Sequence, residues 1–215
     1  MHVFGEHWRD HWDKIEDSWK ARVAPTDTVL VTGDISWALR FEESLLDLGW
    51  LDRLPGKTKL MVRGNHDLWW PNGKENLKLL PPSIRLLRGS ALEVDGEVFC
   101  GTGGWLAPND PYFEPLDRPA YDREIAALEQ ALEHARGLAG GKPVHVLIHF
   151  SPYTSVGLPT AFDALIRRHA VRTVTFGHFH HEEEWARAPK GWIGGTFYNL
   201  AAADFLEFTP VRLPI

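Results

Sequence analysis

Lys59-Leu60-Met61-Val62-Arg63-Gly64-Asn65-His66-Asp67 is the stretch on which the fold turns. Its first five residues read as a buried strand. The strand stops at a glycine and then presents an amide, an imidazole and a carboxylate. An amide oxygen and an imidazole nitrogen both suit a borderline divalent cation. Taken alone the tetrapeptide is equally an ordinary turn, because Asn and Asp close side-chain turns readily. Its weight comes from three other strands that end in residues of the same kind.

Upstream, Thr28-Val29-Leu30-Val31-Thr32 is almost continuously apolar, as in a parallel strand buried on both faces, and it ends at Gly33-Asp34. Open α/β sheets place their ligands at such carboxyl ends; the competing role for Asp34 is to cap the next segment. Residues 41–53 carry Phe41, Leu45, Leu48 and Leu51 at helical spacing, stopped by Leu54-Pro55-Gly56. Strand, helix and strand make a right-handed βαβ unit that sets Asp34 beside Asn65. Downstream, Val144-His145-Val146-Leu147-Ile148 delivers His149, and the strand over 171–176 delivers Gly177-His178-Phe179-His180. His145 shares the face of His149 but lies four residues earlier, and reads as a hydrogen-bonded core histidine.

The rest of the chain frames these ends. Residues 6–23 read as one amphipathic helix, in which His7 and His11 are i,i+4 neighbours on a solvated face, a spacing that also suits a metal. Trp69 and Trp70 read as cleft wall or core. A short helix is expected over 73–80, strands over 84–87 and 91–94, and a hairpin turn at Asp95-Gly96. Gly101 to Gly104 lacks the lysine of a phosphate loop, so a bulge or close backbone approach is expected there. Residues 105–120, with Pro108, Pro111, Pro115 and Pro119, form a loop whose Trp105, Tyr112 and Phe113 fit a substrate-facing lid or a solvated connection. Helices are expected over 120–137 and 158–168, then hairpin-like segments through Phe208.

At 215 residues the chain is expected to be a single domain, 1–215, with an ordinary 44% of hydrophobic residues. A net charge of −6 offers no general attraction to nucleic acid or to an anionic membrane. The lone Cys100 excludes an internal disulfide and a cysteine-built zinc site. No apolar run reaches the ~20 residues of a membrane span, and the charged N-terminus is no signal peptide, so a cytoplasmic location is expected. The ten tryptophans fit core and pocket walls better than a platform for bases.

Gly33-Asp34, Gly64-Asn65-His66-Asp67, a strand-terminal His149 and Gly177-His178-Phe179-His180, in this order, resemble the calcineurin-like metallophosphoesterases. The resemblance implies an α/β fold, a four-layer α/β/β/α sandwich, with a two-metal site at the sheet edge. It implies that Asp34 bridges the metals, that Asn65, His149 and His178 complete one of them, and that His180 binds the other. His66 would protonate the leaving oxygen or stabilise the transition state without binding metal. The implied cofactors are divalent ions, manganese first, with iron or zinc as alternatives. The implied activity is hydrolysis of a phosphoric ester, phosphatase or phosphodiesterase, on a small molecule or nucleotide. Two cations ~3.5–4 Å apart would acidify the water whose hydroxide attacks phosphorus in line.

One departure stands out. The family opens on a strand ending in Asp-x-His, and residues 1–33 contain none. One metal site is therefore complete, and the other keeps only Asp34 and His180. Three accounts are open: a start assigned too late, which we favour; ligands borrowed from His2, His7 or a second copy in a homo-oligomer; or a one-metal, catalytically impaired scaffold. A missing strand would leave an unpaired sheet edge, lowering stability or inviting a partner.

Overall fold

The computed structural model describes residues 5–71 and 73–214. His2 lies outside them. Among the described residues, nine strands form two sheets and six α-helices accompany them. The first is parallel, in the order β1 (Thr28–Val31), β2 (Thr58–Met61) and β3 (Ile84–Leu86). The second is mixed. It runs β4 (Ser90–Val94), β5 (Glu97–Thr102), β6 (Val144–Ile148), β7 (Thr173–Phe176), β9 (Thr196–Leu200) and β8 (Gly191–Ile193). Its four central strands are parallel, and an antiparallel hairpin partner flanks each side.

Alternation along the strands sorts the core into three apolar clusters. Leu60 and Val62 of the first sheet meet Phe99 and Leu147 of the second, so the sheets pack face to face. The intervening Met61 points the other way, among Leu48 and Leu51 of helix α2 (Phe41–Arg53) and Trp19 of α1 (His11–Arg22). Val98, Cys100, Val146 and Ile148 likewise point away from the first sheet. They pack against Leu128 and Leu132 of α4 (Arg118–Ala139) and Phe162 and Ile166 of α5 (Ala161–Arg168). The mixed α/β architecture expected from the sequence is what forms.

The β1–α2–β2 unit is the predicted βαβ crossover, with Thr28 opposite Thr58 and Val31 opposite Met61. Lys59 is fully buried at the start of β2, against the expectation for a lysine. Its ammonium donates to the carbonyls of Asp52 (3.2 Å), Leu54 (2.7 Å) and Gly56 (2.9 Å), closing the negative end of α2. Among the described residues β1 pairs only with β2, and Thr28, Val29 and Leu30 are half-buried.

Several expectations are corrected. Residues 6–23 are not one helix: a 3-10 turn at Glu6–Trp8 is followed by α1, and Asp10 between them is left-handed (φ 55°). His7 and His11 are therefore not neighbours on one helical face, and the His11 Nδ1–H donates to the Trp8 carbonyl (3.0 Å). The short helix α3 covers only Lys74–Lys78. Of the two readings open for Trp69 and Trp70, core is the one that forms. An unexpected helix, α6 (Glu182–Arg187), follows His180, its acidic first turn suiting the positive end of the helix. The segment 205–208 forms turns, with Glu207 and Phe208 at positive φ. His145 is the core histidine expected: it bonds Thr173 Oγ1 (2.8 Å) and the carboxylate of Glu97.

Candidate metal centre

The two sheets face each other, so the carboxyl ends of β1, β2, β6 and β7 converge. Three glycines permit the approach. Gly33 has φ +99°, and a Cβ on Gly64 would lie 1.9 Å from Asp34 Oδ1 and 2.4 Å from the Asp34 nitrogen. Gly177 similarly passes over Thr32, where a Cβ would lie 2.8 Å from Oγ1. Asp34 and His178 are themselves left-handed, at φ 56° and 70°. Such backbone strain at non-glycine residues persists where the surroundings over-determine it.

Asp67 holds the two first-sheet loops together. Its carboxylate is fully buried and accepts from five donors. Oδ2 takes the N–H of Asp34 (2.7 Å) and Gly64 (2.8 Å). Oδ1 takes the N–H of Ile35 (3.0 Å) and Ser36 (3.2 Å) and the Trp69 indole (2.9 Å). Burial pushes this carboxyl above its ordinary range, and the backbone N–H of Gly64 opposes that. Asp34 in turn accepts the His66 backbone N–H on Oδ1 (2.8 Å).

Three acceptor-type atoms meet where these loops join the second sheet. Asn65 Oδ1 is 2.8 Å from His149 Nε2 and 3.1 Å from His178 Nδ1, and the two imidazole nitrogens are 3.2 Å apart. Asp34 Oδ2 stands 3.5 Å from His149 Nε2. The His149 Nδ1–H donates across the sheets to the Thr32 carbonyl (2.7 Å), which leaves Nε2 as the lone-pair nitrogen of a neutral ring. Burial lowers the pKa of His149. It lowers that of His178 well below its ordinary value, where His149, His180 and His66 add like-charge repulsion. Two neutral rings and an amide oxygen therefore supply at most one proton, from His178, to a triangle of three acceptors. A divalent cation satisfies all three together with Asp34, so the residues present fit a metal. His, Cys, Asp and Glu alone form no group of three spaced to hold an ion among the described residues. The Asn65 amide oxygen would be the further donor.

The other two candidates lie beside this cluster. His66 is exposed, with its ring stacked on Trp37. His180 is near enough to act electrostatically on His149 and His178, but its Nδ1 turns to Asp204, 2.9 Å from Oδ2. His7 Nε2 is 4.0 Å from the same carboxylate. Sequence reasoning missed Asp67 as organiser, Trp37 and Asp204. Asp204 did carry a signal, being an acid just beyond a strand end, as Asp34 is. The sequence also offers Arg40, Arg63, Arg118 and Arg123 as phosphate binders or, more simply, structural charges; Arg40, Arg118 and Arg123 are paired with Glu43, Asp122 and Glu124, and Arg63 donates from Nε to the Asp67 carbonyl (3.2 Å). Trp105 lines a small cavity with Phe150 and His178, while Tyr112 of the same loop is exposed.

The chain matches the family model of the calcineurin-like phosphoesterases over residues 1–182 and belongs to that family. Among solved structures it is similar to a protein of unknown function from Aquifex aeolicus. The two are 18% identical with a TM-score of 0.44, over 94% of this chain and 80% of that one. No curated protein matches the chain.

Proposed function

We propose that the chain is a metal-dependent phosphoric ester hydrolase, a phosphatase or phosphodiesterase acting on a small molecule or nucleotide in the cytoplasm. The observation that carries this reading is the meeting of Asn65 Oδ1, His149 Nε2 and His178 Nδ1 beside Asp34, at the edge of an exposed imidazole. The mixed oxygen and nitrogen donors suit manganese, iron or zinc. A divalent ion there would neutralise phosphate oxygens and acidify a water.

The chain's own residues do the rest. Asp67 fixes the Asp34 and Asn65 loops, and the Thr32 carbonyl fixes the His149 tautomer. His66 is open to solvent, and an imidazole is the side chain suited to hand a proton to the leaving oxygen. No covalent nucleophile is required, since phosphoryl transfer rests on positioning and charge stabilisation. The net charge of −6 disfavours a polyanionic nucleic acid as substrate.

The test is hydrolysis of p-nitrophenyl phosphate and its bis-ester after manganese loading, with and without chelator. Metal-stimulated turnover lost in Asp34→Ala and His66→Ala is the expected result. Tight manganese binding with no turnover on either ester would favour the scaffold reading instead.

A further inference from the structure

β7 and β9 are parallel neighbours, with Phe176 opposite Leu200. His180 lies four residues beyond the first and Asp204 four beyond the second, so the two loops leave the sheet side by side. There the His180 Nδ1 sits 2.9 and 3.1 Å from the two oxygens of Asp204. The carboxylate is almost wholly buried, its side chain 1% exposed, and its Oδ1 also accepts the Phe205 backbone N–H (3.0 Å). The edge of the Trp8 indole packs against the same imidazole, centroids 5.8 Å apart, and Phe208 backs Trp8. A carboxylate taken out of water in this way needs strong hydrogen-bonding partners, and the ring N–H is one of them.

We propose that Asp204 is the positioning residue for His180. It fixes the imidazole with its proton on Nδ1, so that the ring's lone pair resides on Nε2 and is directed away from the Asp204 loop. This rests on the reading of the centre as a phosphoesterase metal site to which His180 contributes a ligand. A carboxylate behind a ligating imidazole sets its tautomer and raises its basicity, and losing such a partner typically costs about 10–100-fold in metal affinity. Asp204 thereby gives the less complete side of the centre a rigid imidazole, although few ligands are assigned there.

The test is manganese titration followed by the electron paramagnetic resonance signal of the free ion. It compares wild type, Asp204→Ala, Asp204→Asn, His180→Ala and the Asp204→Ala/His180→Ala double variant. Asp204→Ala should weaken His180-dependent binding about 10–100-fold. Asp204→Asn, whose amide oxygen can still accept from Nδ1–H, should restore much of it. In the His180→Ala background Asp204→Ala should add nothing, because the role runs through that ring. Binding that depends on Asn65, measured as loss in Asn65→Ala, should persist in every Asp204 variant. Unchanged affinity in Asp204→Ala overturns the inference, as does an effect that adds fully to His180→Ala. If His180→Ala binds as wild type does, the inference fails and the functional reading stands. A wild-type chain that takes up no manganese overturns both.

Discussion

The indole of Trp37 lies against the imidazole of His66, with centroids 5.4 Å apart and planes inclined by 26°. Trp37 is itself half exposed, three residues past Asp34, so it borders the space in which a leaving group would sit. Stacked rings of this kind are worth about 0.5–1.5 kcal/mol, enough to bias a rotamer. Trp37→Ala is therefore expected to lower kcat/KM on an aryl phosphate roughly two- to tenfold, with Trp37→Phe close to wild type. His66→Ala should lower kcat by roughly 10²–10⁴-fold on the same ester. Steady-state kinetics of the three variants check both statements.

Asp67 gathers five donors from two loops inside a fully buried pocket. Asp67→Ala strands those donors, and Asp67→Asn keeps the volume but puts a donor amide where only acceptors fit. Urea denaturation should show a loss of roughly 3 kcal/mol or more for Asp67→Ala. Asp67→Asn should also be destabilised, and both should lose manganese binding although neither residue change touches a proposed ligand.

Gly64 illustrates steric rather than electrostatic control. An added Cβ falls 1.9 Å from Asp34 Oδ1 and 2.4 Å from the Asp34 backbone nitrogen, and a backbone atom cannot swing aside. Gly64→Ala should lower stability by about 1–3 kcal/mol and displace the Asp34 carboxylate. Gly73, whose Cβ would meet nothing within 4 Å, supplies the control: Gly73→Ala should leave manganese binding as in wild type. Thermal melting and metal titration of the two variants make the comparison.

His145 sets a pH dependence of stability. Burial holds its folded pKa below the ordinary 6.5, although Glu97 works against that. The unfolded chain therefore binds this proton first as pH falls. Stability is full above the unfolded value, declines as pH drops through about 6.5, and levels off below the folded value. His149 and His178 shift in the same direction. In His145→Asn, Tm measured between pH 7 and pH 5 should fall less steeply than in wild type, without becoming flat. A slope identical to wild type would remove His145 from this account.

The legible parts of the chain were those written in short-range pattern. Thr28–Val31 and Thr58–Met61 announce themselves by apolar runs, and the crossover rule then brings Asp34 to Asn65. The same logic delivered His149 and His178, since parallel strands end on one edge. What escaped was set through space. Asp10 breaks the predicted first helix with a left-handed turn that periodicity does not register. Lys59 is buried because three carbonyls of a neighbouring helix end surround it. Asp204 meets His180 only once β9 has paired beside β7, and no local signal ties two residues 24 positions apart.

The hydrogen bond from His149 to the Thr32 carbonyl joins residues 117 positions apart and crosses from one sheet to the other. Asp34 and Asn65 ride on the first sheet, His149 and His178 on the second. Neither half holds a full ligand set. A nascent or partly folded chain would therefore offer passing ions only scattered, weak donors, and capture of the proposed ion would be the closing event of folding. Loop-closure entropy makes such long-range meetings late and slow. For the proposed centre this would amount to proofreading in time: an ion would be gripped only after the scaffold around it has been assembled correctly.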